Sequence, residues 1–443
     1  GVGYGNEVTF TTQTQLPDTT VIVAKDGSGN YTTLQAAFND VPTNYTGKWT
    51  IFVKKGVYYE KDTLKAGKVN VVLIGEDRDS AIITYDDYGD RYGSGNPGTS
   101  GSFTITIDAN DFIAKNITFR NTYYPQSGVS GTQAVALRTQ GDRHQYINCR
   151  ITGYQDTYYT WGGSGTGRMY HKNCIIDGTV DFIFGRNICV FDSCTIVVKR
   201  NGGTVTAAST DATSMYGYVF RNCTITHIDT LGYDGNAVTS YYLGRPWQNS
   251  PRTVFINCYE SSALHPAGWM SWNVTPALYA EYTCFGPGSG IGSRASFSRQ
   301  LTNDEAATYS LENIFARSSA SSSLILYDWM PSEATAADNF PFTVLGVETN
   351  SSSQVPHTYT LANYPNPFNP STAIQFSVAT SGRAIVKVYN LLGQEVARLF
   401  DGYAEAGKYY VASFNGSKFA SGVYFYTLES NGQHRVNRML LLK

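Results

Sequence analysis

The 443-residue sequence predicts an all-β chain, a parallel β-helix followed by a small antiparallel β-sandwich, on three observations. Five cysteines recur in one local frame: Asn148-Cys149-Arg-Ile-Thr, Asn173-Cys174-Ile-Ile-Asp, Asp192-Ser193-Cys194-Thr-Ile, Asn222-Cys223-Thr-Ile-Thr and Asn257-Cys258. Their intervals of 25, 20, 29 and 35 residues suit a solenoid whose coils keep one short strand and vary their loops. Charged residues make up 15% of the chain, against about 25% in an average domain, while 33 Tyr and 43 Gly are present; that mixture reads as β-rich and extracellular. Stretches of Ala, Leu, Glu and Lys with a 3.6-residue period are scarce, which disfavours a helical bundle or coiled coil.

The elements follow in order. Residues 19–24 are strand-like, and Thr33-Leu-Gln-Ala-Ala-Phe-Asn-Asp40 is a short amphipathic helix suited to cap the solenoid, whose open end would otherwise present a bare strand edge. The segments 49–53, 69–74 and 102–107 run apolar or alternate as strands do. Asn116-Ile-Thr-Phe is a cysteine-free relative of the repeated frame. At about 25 residues per coil, residues 20–290 hold about ten coils. Cysteines recurring at one rung position are expected to stack as small buried apolar groups rather than as a disulfide framework. Thr302 begins a capped helix that could fold back on the barrel. The Ser-rich stretches 317–323 and 350–356 are punctuation. Beyond them, alternating runs at 373–378, 384–389, 408–414 and 422–428, separated by Gly turns, describe the sandwich. The expected division is 1–335 for the β-helix, 336–357 for a linker and 358–443 for the sandwich.

Charge excludes several functions. The 33 basic and 35 acidic residues give a net charge of −2, which argues against an electrostatic grip on nucleic acid or an anionic membrane. No apolar run approaches the roughly 18 residues of a membrane-spanning helix. Gly1, with no charged-then-apolar leader after it, is expected for a mature or trimmed chain. The Cys form no C-x-x-C pair, and neither G-x-S-x-G nor H-E-x-x-H occurs. Gly93-Ser-Gly-Asn-Pro-Gly98 fits G-x-G-x-x-G, but its Pro and the Thr-Ser-Gly-Ser after it are not expected to open a helix. The six His are scattered, and His144 and His171 are expected to be structural or exposed rather than ligands.

Two carboxylates occupy matching places in successive repeats: Asp156 lies seven residues after Cys149, and Asp181 seven after Cys174. Neighbouring strands sit about 4.8 Å apart, so the pair falls within mutual electrostatic reach. One carboxyl should then hold a proton while the other serves as nucleophile or base. A single Asp after a strand is otherwise a turn or cap residue.

Gly153-Tyr-Gln-Asp-Thr-Tyr-Tyr159, Gly178-Thr-Val-Asp-Phe-Ile-Phe-Gly185 and Tyr242-Leu-Gly-Arg-Pro-Trp247 together resemble the signature motifs of pectin methylesterases, which demethylate homogalacturonan. Gly56-Val-Tyr-Tyr-Glu60 and Gln133-Ala-Val-Ala-Leu137 resemble that family's two upstream motifs, in the same order, and the resemblance spans about residues 18–332. It implies a right-handed parallel β-helix. By motif, it makes Asp181 the nucleophile and Asp156 the acid and then the base. Arg245 would hold and aim Asp181, leaving Asp156 with the proton. Gln133 and Gln155 would donate to the tetrahedral oxyanion. Trp247 and Phe184 would contact the sugar chain by the same resemblance, and Val180 is a further candidate. Tyr158, Tyr159, Phe182, Trp269 and Met270 join them as aromatic or apolar candidates, although aromatics on a β-helix are usually core. Arg186 stands where many members carry Asn, and that cation could favour stretches already bearing free carboxylates. No metal and no other cofactor is expected. Other β-helix chemistry, that of a lyase or galacturonan hydrolase, stays open, as does a silent pectin-binding adhesin.

Tyr364-Pro-Asn-Pro-Phe-Asn-Pro370, Val388-Tyr-Asn-Leu-Leu-Gly-Gln-Glu-Val396 and Ser421-Gly-Val-Tyr-Phe-Tyr426 resemble the type A sorting domain of type IX secretion systems, over residues 358–443. A generic carbohydrate-binding sandwich is the alternative. The expected partners are thus methyl-esterified homogalacturonan and the type IX secretion machinery, for a secreted or cell-surface monomer.

Overall fold

The structure is a computed structural model, described for residues 16–93, 98–125, 131–161, 166–232, 234–318, 325–334, 360–364, 366–404, 406 and 409–442. The chain divides into two compact units, Gly1–Leu345 and Gly346–Lys443. The linker expected over 336–357 lies outside the described residues.

In the first unit three parallel sheets of 11, seven and eight strands wind around one core. Among the described residues seven coils contribute one strand to each sheet, so side chains at equal register stack along the axis. Cys149, Cys174, Cys194 and Cys223 each precede a strand of the eight-stranded sheet, and the pairings Arg150↔Ile175, Ile175↔Thr195 and Thr195↔Thr224 hold them in line. All seven cysteines are free thiols, six of them buried and Cys284 partly so. The asparagines of the repeat have a backbone reason. Asn116, Asn148, Asn173, Asn222 and Asn257 all sit at φ of 51–55°, the left-handed region that Asn tolerates better than most residues. Ser193 and Thr283 take this place, at φ of 59° and 49°, where the repeat lacks Asn. Stacked amides link successive turns: Asn148 Nδ2 donates to Asn116 Oδ1, and Asn257 Nδ2 to Asn222 Oδ1, both at 2.8 Å.

Facing this edge, the inner side of the 11-stranded sheet carries an aromatic ladder. Tyr146, His171, Phe191, Phe220 and Phe255 stack with centroid spacings of 5.1, 4.5, 4.5 and 4.3 Å. Each pair adds about 0.5–1.5 kcal/mol beyond the burial of its rings. His144 and His171 are fully buried, and burial pushes each imidazole down to about 4, so both are neutral core groups.

The N-terminal end is closed as expected by the helix Leu34–Asp40, whose Leu34, Ala37 and Phe38 enter the core and whose cap is Thr33. Residues 98–101 depart from expectation by forming a single helical turn, Gly98–Gly101. Thr302 and Glu305 make a reciprocal capping box for the helix Asn303–Ala307. The helix that follows, Leu311–Phe315, packs Leu311, Ile314 and Phe315 on the outer face of the 11-stranded sheet, against Tyr170, Val190 and Val219.

The second unit pairs a three-stranded and a four-stranded antiparallel sheet around its own core of Phe368, Ile374, Phe376, Val386, Tyr426 and Leu441, among others. The alternating runs read from the sequence become the strands Ser371–Ser377, Gly382–Tyr389, Tyr409–Asn415 and Gly422–Ser430. Thr360–Tyr364, Glu395–Ala404 and Gln433–Leu441 are further strands.

Candidate active site

The outer face of the seven-stranded sheet gathers most of the candidates. Register pairs Arg138 with Tyr159, Tyr159 with Phe184, Phe184 with Ala207, and Ala207 with Arg245 in one row across five coils. Tyr159 and Phe184 stack face to face at 4.4 Å, with Trp161 beside Tyr159 at 5.7 Å and Trp247 beside Phe184 at 5.9 Å. Tyr159 and Phe184 are buried as a floor, whereas Trp161 and Trp247 are partly exposed at its edges. Val180 and Met270 are also partly exposed.

Asp156 and Asp181 lie two residues before the paired Tyr158 and Ile183, so they hold equivalent positions in adjacent coils. Both take left-handed backbone, at φ of 61° and 50°. Asp is among the residues that accept this geometry. The Asp156 N–H donates to the Val180 carbonyl at 3.0 Å, tying the two turns together.

The two carboxyls have opposite surroundings. Arg245 forks onto Asp181, with Nε donating to Oδ1 at 2.9 Å and Nη2 to Oδ2 at 2.6 Å. Thr204 adds a third side-chain donor, its Oγ1 lying 2.7 Å from Asp181 Oδ1. Trp272 covers the back of Arg245, its ring centre 3.9 Å from the guanidinium carbon. Asp156 has no such fork. Burial, and then the charge of Asp181, raise its carboxyl well above the ordinary range, against the pull of Arg245 and a hydrogen bond from Gln155. The site thus pairs a clamped carboxylate with a carboxyl whose proton is held more tightly than usual, an arrangement suited to nucleophilic and acid–base chemistry. Gln155 Oε1 accepts from Thr132 Oγ1 at 3.2 Å, and the Gln133 carbonyl accepts from Gly89 N–H at 2.8 Å, which fixes the turns that carry both glutamines.

Three aromatic candidates are corrected. Tyr158 is wholly inside the solenoid, its hydroxyl 2.9 Å from His171 Nε2. Phe182 is equally enclosed, and Trp269 stacks on Tyr279 in the core at 4.4 Å. Side chains alternate across a strand, so of the adjacent Tyr158 and Tyr159 only one can face a ligand. Sequence reasoning passed over Thr204, Trp272, Arg138 and Trp161. For the aromatic pair the signal was present in Trp269-Met270-Ser271-Trp272, where the outward tryptophan is the second.

Residues 20–318 match the family model described as Pectinesterase, and residues 362–442 match that of a secretion system C-terminal sorting domain. A pectinesterase of Petunia integrifolia is 36% identical over 300 residues, covering 65% of this chain and 77% of its own. Putative pectinesterase/pectinesterase inhibitor 45 of Arabidopsis thaliana is 36% identical over 301 residues, 65% of this chain and 47% of its own. The chain spans about half the length of the first curated relatives it matches. Among solved structures, pectin methylesterase from carrot aligns with TM-score 0.59 and 31% identity over 70% of this chain and 94% of its own. Pectin methylesterase PemA from Erwinia chrysanthemi aligns with TM-score 0.58 and 29% identity over 73% and 99%.

Proposed function

Because the chain belongs to the pectinesterase family, we propose that it is a secreted pectin methylesterase, which hydrolyses the methyl esters of homogalacturonan to methanol and free galacturonate. The observation that carries this reading is the asymmetry of the two aspartates, one forked by Arg245 and the other pushed up by burial. Asp181 attacks the ester carbonyl carbon. Gln133 and Gln155 donate to the oxygen that gains charge, a contribution typically on the order of 10²–10³ in rate per donor. Asp156 delivers its proton to the departing methoxyl, then takes one from the water that cleaves the acyl-enzyme. No step calls for a metal. Trp247, Phe184, Tyr159, Val180 and Met270 line the path of the sugar chain, and the stacked pair at 4.4 Å offers a flat apolar floor for pyranose rings.

The catalytic domain is assigned to 1–335, the linker to 336–357 and the sorting domain to 358–443, the last engaging type IX secretion machinery.

Methanol release from highly methylated homogalacturonan, with EDTA present, tests the reading for wild type beside Asp181→Ala. Release by wild type alone is expected. An absorbing unsaturated product would instead identify a lyase, and binding without turnover an adhesin.

A further inference from the structure

The backbone ladder is interrupted at Asp181. One coil earlier, at the equivalent position, Asp156 N–H donates to a backbone carbonyl, that of Val180. Asp181 N–H donates instead to a side chain, Thr204 Oγ1, at 2.9 Å. The same hydroxyl sends its own hydrogen to Asp181 Oδ1 at 2.7 Å. Thr204 is buried, and its β-branch restricts χ1, so the hydroxyl direction is set by the strand Gly203–Ala208. One oxygen therefore pins both the amide and the carboxylate of a residue held at φ of 50°. It also makes the two carboxylate oxygens unequal. Oδ1 accepts from Thr204 Oγ1 and Arg245 Nε, while Oδ2 accepts from Arg245 Nη2.

We infer that Thr204 is a positioning residue that occupies Oδ1 and leaves Oδ2 as the oxygen that attacks the ester, an inference that rests on the esterase reading above. Attack forms the bond from Oδ2 to the acyl carbon and breaks the carbon–methoxyl bond, and the proton of Asp156 leaves with the methoxyl oxygen as methanol. Oδ1 becomes the carbonyl oxygen of the resulting mixed anhydride and keeps both donors. It therefore neither rotates nor loses its partners when Oδ2 changes from a carboxylate oxygen to the bridging oxygen of the anhydride. Water then adds to the acyl carbon and gives a proton to Asp156, and the bond to Oδ2 breaks to restore the carboxylate. Thr204 lies outside all five sequence motifs, in a coil chosen for this contact by register alone.

The test compares methanol release by wild type, Thr204→Val and Thr204→Ser, with circular dichroism as the folding control. Thr204→Val is expected to lower kcat about 10- to 100-fold with KM little changed, as for loss of a hydrogen bond to a charged group, and Thr204→Ser to recover most of it. Should Thr204→Val fail to fold, Thr204→Ala removes the same hydroxyl without added branching. The inference is overturned if the hydroxyl-free variant keeps wild-type kcat, if the loss lies wholly in KM, or if Thr204→Ser is as slow as Thr204→Val. An active wild type with any of those outcomes removes only the role of Thr204; a folded wild type that releases no methanol removes the esterase reading and this role with it.

Discussion

Asp156 and Asp181 are chemically identical side chains on equivalent turns, and only their neighbours separate them. Arg245 brings two aligned donors to Asp181, a geometry that lysine cannot copy. Arg245→Gln is therefore expected to reduce kcat on the order of a hundredfold or more, measured as methanol release at saturating substrate. In the proposed mechanism Asp156 supplies the pH dependence, because its carboxyl must be protonated for methanol to leave, and burial followed by the Asp181 charge raises its folded-state value well above 3.8. Activity should accordingly fall on the alkaline side as pH passes through that raised value. For stability the sign follows from the same shift: the contribution of Asp156 is fully present below its unfolded value and is lost as pH rises through the folded one. Asp156→Asn should thus be inactive yet melt higher than wild type at neutral pH, with the gap closing in acid; equal melting curves at neutral pH would contradict the buried-acid description.

Among the elements, the coil is the unit that matters. Its left-handed residue, its following thiol and its inward ring each meet the equivalent position of the next coil, so a change in one coil is felt by two neighbours. Phe220 lies between Phe191 and Phe255 at 4.5 and 4.3 Å and is fully buried. Phe220→Ala should cost about 3–5 kcal/mol in denaturant unfolding, because it removes a ring and leaves a cavity between two others. The thiols carry a second expectation. All seven cysteines are free, so seven thiols should titrate in denaturant without reductant, and few in the native protein; fewer than seven in denaturant would mean disulfides in place of the stack. The repeated Asn-Cys frame was legible because the left-handed turn and the tight rung both restrict residue type at a fixed offset. The strands of the seven-stranded sheet were harder to read. Several are only three residues long, as at Tyr158–Thr160 and Ile183–Gly185, too short to show which face is inward.

At the scale of the molecule, the two units have separate cores, Phe119 and Phe191 belonging to one and Phe376 and Tyr426 to the other. Deletion of 358–443 should therefore leave methanol release unchanged while abolishing export from a host that carries the type IX machinery; undiminished export would refute the address reading. The arginines of the site are each committed to a local task. Arg138 lies over Phe103 at 4.7 Å, Arg186 over Trp161 at 4.6 Å and Arg245 over Trp272 at 3.9 Å.

What the sequence made legible by itself is the repeat, the solenoid and the matching places of Asp156 and Asp181, each of which rests on residue type at a fixed spacing along the chain. The address and the candidates Gln133, Gln155 and Arg245 came from the resemblance of its motifs to known families. What only the tertiary structure decided is facing and contact across coils. It set Tyr159 outward and Tyr158 inward, enclosed Phe182 and Trp269, and brought Thr204 and Trp272 to Asp181 and Arg245. Intervals that vary from 20 to 35 residues between successive rungs leave no fixed sequence offset between such partners. Their meeting is fixed by the register of parallel strands, which hydrogen bonds between coils establish only when the solenoid closes.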